Sequence, residues 1–156
     1  MHVRNFLLIV FAIVLFFACH KKSSNKSQVI AKEAVKSEPK IDSTIKNAII
    51  DTQIDMATTG AFYKIDSIKI NEDILSVFVN YSGGCKTHSF DLYSNGMYAK
   101  SMPPQLSLCL KHNNNGDNCR GLLLQELKFN VSNLKYAGKS TVVLKLADKK
   151  VTYLVK

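Results

Sequence analysis

From Phe62 onward the chain alternates with a period of two. In "ILSVFVNY", Leu75, Val77, Val79 and Tyr81 share one face. Successive strand side chains point to opposite sides, so this pattern suits a half-buried strand and fits no helix. The pattern recurs in "YKIDSIKI", "HSFDLYS", "QLSLCLK", "LLQELKFNV", "TVVLKLA" and "KVTYLVK". In "LLQELKFNV", Leu123, Leu127, Phe129 and Val131 align, and Gln125 is the misfit. "NED" and "DKK" mark hairpin turns. Proline stands only at 39, 103 and 104, so it interrupts none of the runs. About seven short strands at such spacing predict an all-β domain, an antiparallel sandwich or small barrel, over residues 59–156. A length of 156 residues allows one domain with a core and leaves room for flanking segments.

Residues 19–58 have a different texture. They carry Ser, Lys, Asn, Thr and Glu and no aromatic residue. Such a segment buries too little to offset its ordering entropy, so a flexible tether is expected. Ile41, Ile45, Ala48 and Ile49 have the spacing of a short amphipathic helical turn.

The first 18 residues read as an address. Arg4 is followed by an apolar run from Phe6 to Phe17, too short to span a bilayer comfortably. Together with Ala18 and Cys19, the segment resembles a bacterial lipoprotein signal peptide. That family favours Leu three places before the cysteine, where this chain has Phe16. The resemblance implies lipidation of Cys19 and attachment to the membrane through the N-terminal lipid. It also implies a folded part outside the cytoplasm, where disulfides persist. The residues after Cys19 are basic, unlike the acidic export signal of surface lipoproteins. The expected location is therefore the cell envelope, on the periplasmic face of the outer membrane.

The net charge of +9 is spread along the chain, without an Arg-rich helix or basic–aromatic interleaving. Nucleic-acid binding needs a clustered basic face and is not expected. An anionic membrane surface, an envelope protein or a glycan is the more natural partner.

Two polar loops hold the residues with chemistry. "GGCKTHSF" carries Cys85 and His88, and "KHNNNGDNCR" carries His112, Asp117 and Cys119. Three readings compete. In the first, Cys85 and Cys119 form a disulfide, which stabilises by roughly 3–4 kcal/mol in the chain-entropy model. Cys109 is then a buried free thiol, and Cys109–Cys119 is the competing connectivity, because spacing alone does not fix pairing. In the second, Cys85, His88, His112 and Cys119 hold Zn²⁺, or copper with Met97 or Met102 added. A metal needs free thiolates, so this reading excludes the first. In the third, a cysteine and a histidine form a nucleophile–base pair oriented by Asp117. No nucleophile elbow, zinc-protease helix or phosphate loop supports catalysis, so neither an enzyme nor a cofactor is expected. For the histidines, packing together to fix the two loops is the plain role. Gly83 and Gly84 are expected to turn the chain sharply at positive φ.

"YSGGCKTHSFDLY", "PPQLSLCLKHNNNGDNC" and "LKFNVSNL" together resemble a group of uncharacterised bacterial sequences, many of them lipoproteins. The group shares a GGC-x₂-H-x-F block followed by an L-x-H…D-x-C block. The resemblance implies that Cys85, His88, His112, Asp117 and Cys119 belong to one site, and it brings no activity with it. The expected function is a lipid-anchored envelope protein acting as a binding or structural module. An extracytoplasmic metal-binding module is the alternative.

Overall fold

The structure, a computed structural model, describes residues 40–155. The expected signal peptide, the lipidated Cys19 and residues 19–39 of the tether lie outside the described residues.

Among the described residues, nine strands form two sheets. They are β1 (Lys40–Asn47), β2 (Ile49–Ile50), β3 (Lys64–Asn71), β4 (Ile74–Gly83), β5 (Ser89–Ala99), β6 (Gln105–Asn113), β7 (Gly121–Asn130), β8 (Thr141–Leu146) and β9 (Lys149–Leu154). One sheet has the order β1-β7-β4-β3, and the other β2-β5-β6-β8-β9. The unclosed sheets form a sandwich. β3 to β9 account for the seven strands expected from the alternating runs.

Each run behaves as its period demands. Leu75, Val77, Val79 and Tyr81 on β4 are buried, as are Phe90 and Leu92 on β5. Leu106, Leu108 and Leu110 on β6 and Leu127 and Phe129 on β7 join them. Val142, Leu144 and Leu146 on β8 and Tyr153 on β9 complete the core. The Tyr153 hydroxyl donates to Asp73, so its polar tip is satisfied at the core's edge.

Two expectations need correction. The sheets are mixed, not antiparallel: β1 with β7, β2 with β5 and β6 with β8 run parallel. The cause is sheet-switching. β7 lies in the other sheet between β6 and β8, so the chain crosses the sandwich and β8 enters alongside β6 in the same direction. Alternation within a strand carries no information on its neighbour's direction.

The expected tether of 19–58 also gives way to strands at 40–50, so the folded unit begins earlier than residue 59. Ala48 is 3% exposed and sits at the point where the chain changes sheets. Its N–H donates to Asn130 O at 2.9 Å, and its carbonyl accepts from Asn133 Nδ2 at 2.7 Å. Ile45, Ile49 and Ile50 stay 53%, 39% and 48% exposed, so the isoleucines do not drive this pairing. Backbone hydrogen bonds and one small buried residue do. Residues 51–61 then run over β6. Lys111 Nζ donates to Asp55 O and Thr58 O, and His112 N–H donates to Thr59 O at 2.8 Å. This segment covers Cys109, which is buried and free.

A chain starting at Asp51 should therefore be less stable than one starting at Lys40, by about 2 kcal/mol or more, from lost ladder bonds and the exposed Ala48 site. Urea denaturation measures this, and equal midpoints would restore the tether reading for residues 40–50.

Candidate functional site

Two connections cross between the sheets at one end of the sandwich. One joins β4 to β5, and the other joins β6 to β7. Gly83 pairs with Gly121 at the base of one side, and Ser89 pairs with Asn113 at the base of the other. The loops therefore lie side by side, and Cys85 and Cys119 form a disulfide between them with Cα atoms 5.9 Å apart.

Asp117 organises the space beneath. Its Oδ2 accepts the N–H groups of Gly84, Cys85 and Lys86, each at 2.9 Å. Its Oδ1 accepts the Cys119 N–H at 2.8 Å. Successive amides curled around one oxygen make a backbone anion nest, here filled by the protein's own carboxylate. The N–H groups of Cys119, Lys86 and Cys85, and then His88, hold this carboxyl well below the usual carboxylate range. Lys86 Nζ reaches across to Asn115 O and Gly116 O at 3.0 and 3.1 Å.

The histidines continue the chain of hydrogen bonds inward. His88 Nε2 lies 3.2 Å from Asp117 Oδ2, and His88 Nδ1 lies 2.8 Å from His112 Nε2. His112 Nδ1 ends the chain 3.1 Å from Ala61 O. The side chains of His88 and Asp117 are 1% and 0% exposed. Asp117 and the Ala61 carbonyl can only accept, so the outer nitrogens of the pair must both donate. The inner contact joins the two rings directly. Burial pushes the His112 imidazole below its ordinary value, despite its bond to Ala61. Phe90 stacks on His112 at 4.2 Å, and Tyr81 packs on both imidazoles.

The two glycines have separate roles. Gly84 has φ of 120°, as expected of a sharp turn. Gly83 is not among the positive-φ glycines, which corrects that expectation for it. A Cβ at Gly83 would come within 2.6 Å of His88 Nε2. Gly83 is there to admit the imidazole.

All five residues singled out in the sequence therefore converge. Each sulfur of Cys85 and Cys119 is bonded to the other. The ligand atoms within 4.8 Å of one another are those of Cys85, Asp117 and Cys119, and neither histidine belongs to that group. All four ring nitrogens of the histidines are engaged within the site. Cys109, the remaining described thiol, faces away from the site on β6, and burial pushes its pKa up. Sequence reasoning did not find Ala61, whose carbonyl carries no side-chain signal. A cleft of about 190 Å³ opens beside the site, lined by Phe62, His112, Asn118 and Cys119 among others. Phe62 is 84% exposed at this cleft.

No protein-family model matches the chain. No curated protein matches it either. Among solved structures, it is similar to a toxin-related protein from Parabacteroides distasonis, at 19% identity over 70% of this chain and a TM-score of 0.43. It is also similar to a DUF1344 protein of unknown function from Bacteroides vulgatus, at 18% over 72% with a TM-score of 0.49. A NigD-like immunity protein from Bacteroides caccae matches at 14% over 69%, with a TM-score of 0.47. The chain covers 58%, 56% and 58% of these three chains, less than two thirds of their length. None of these likenesses decides a function.

Two outcomes follow from the site. Gly83→Ala should cost about 1–3 kcal/mol in urea denaturation, as overpacking against His88; a variant as stable as wild type would contradict the close approach. The second concerns pH. The folded His112 binds a proton less readily than the unfolded one, so its contribution is complete above the unfolded value of about 6.5 and is lost as pH falls. The urea midpoint should therefore decline from pH 7 to 5, and His112→Gln should flatten that slope. An unchanged slope would remove His112 from the account.

Proposed function

We propose that the chain is a lipid-anchored cell-envelope protein, a non-catalytic binding module on the periplasmic face of the outer membrane. The observation that carries this reading is the stapled loop pair. A disulfide joining two loops over a buried, hydrogen-bonded lock supports a compartment where disulfides persist, in keeping with the lipoprotein-like N-terminus and Cys19. The lock also supports a non-catalytic role, since its histidines have no nitrogen left for a substrate. Its effect is to hold a loop rim rigid, and rigid rims lose little entropy on binding a partner. An envelope protein or glycan is the partner class that fits a basic extracytoplasmic domain.

Cys19→Ala should move the protein from the membrane to the soluble fraction; a variant that stays membrane-bound after signal processing refutes the anchor. In the same preparations, reduction should add two hydrogens to the intact mass. Bound zinc in the untreated protein would instead favour the metal module of Cys85, His88, His112 and Cys119.

A further inference from the structure

A second cleft, of about 160 Å³, opens between the sheets on the side of β1. Gln125, the misfit on the core face of β7, lines it and is 8% exposed. A buried amide on that face needs a reason. The Tyr81 hydroxyl donates to Gln125 Oε1 at 2.6 Å and so fixes the amide's orientation. The described residues supply no acceptor for Nε2. No buried side-chain polar atom among them lacks a partner, so this NH₂ group opens onto the cleft.

The charges around the cleft are arranged in one sense. Lys46 and Lys128 line it. Their counter-ions, Asp91 at 2.9 Å and Glu126 at 4.0 Å, do not, and no carboxylate is among its described lining residues. The described lining is therefore cationic on balance. Lys46 Nζ donates to Phe90 O and Asp91 Oδ1, which leaves one of its three N–H groups. Ser89 adds a hydroxyl, and Phe90 and Phe129 add apolar walls.

We propose that this cleft binds a small carboxylate-bearing ligand of about sugar-acid size, with Lys46 and the Gln125 amide donating to its carboxylate. The apolar walls would face the ligand's ring or chain. This deepens the binding-module reading and rests on it, and it places a ligand site apart from the stapled rim.

The test compares glucuronate with glucose, which differ at the carboxylate. Each is titrated into the full chain in detergent while the side-chain amide signals of Gln125 are followed by NMR. Glucuronate should displace those signals saturably, and glucose should not. Lys46→Met should raise the apparent Kd about tenfold or more, as expected for a lost charge-assisted hydrogen bond. Equal displacement by glucose, no displacement by glucuronate, or an unchanged Kd in Lys46→Met would overturn the proposal. The sugar comparison needs no variant and decides the matter even if Lys46→Met does not fold. Failure of the anchored-module reading would show elsewhere, in the fractionation of Cys19→Ala.

Discussion

The carboxylate of Asp117 is the contact on which this end of the molecule depends. An ionised group with a fully covered side chain is tolerable only when donors replace its water. Here four backbone N–H groups and one imidazole do so. The dependence runs both ways. Without the charge, three successive amides of residues 84–86 would point at nothing, so the β4–β5 loop would lose its reason to curl. The curl in turn explains the order Gly-Gly-Cys: space for His88 at Gly83, reversed backbone at Gly84, and the staple at Cys85.

The histidine pair carries that anchoring into the core. A disulfide alone would tie two loop tips together and leave the gap below them open. The pair fills the gap with rings stacked on Phe90 and Tyr81. It also reaches the Ala61 carbonyl, which belongs to the segment lying over β6. Three stretches far apart in sequence are thus held by one line of protons. Tyr81 links this column to Gln125 through its hydroxyl. The misfit of β7 and the histidines of the loops are neighbours in one polar seam between the sheets.

How much of this could be read from the chain follows from where the forces act. Seven strands were legible because alternation is local and each core-facing run, such as Leu75 to Tyr81, buries its own residues. β1 and β2 were not, because a strand at a sheet edge is held by ladder bonds and needs few apolar side chains; Ala48 is a weak signal. Parallel pairing was hidden for the same reason. The five-residue constellation was legible because matched cysteines and histidines in two polar loops are unusual at random. The roles within it were not. That Asp117 serves as the internal anion depends on atoms some thirty residues apart in sequence, and that Gly83 makes room for the His88 imidazole depends on how the loop between them curls.

The rim is held twice, by constraints of different kinds. The disulfide is covalent and answers to redox conditions, while the Asp117–His88–His112 line is electrostatic and answers to pH. Each keeps the other's geometry. The staple holds Cys85 and Cys119 close enough for their amides to meet Asp117, and the nest holds both cysteines at bonding distance. Loss of one constraint therefore leaves the loops paired by the other. The rim is expected to persist under reductant at neutral pH, or in mild acid while oxidised. It would be lost when both constraints fail together.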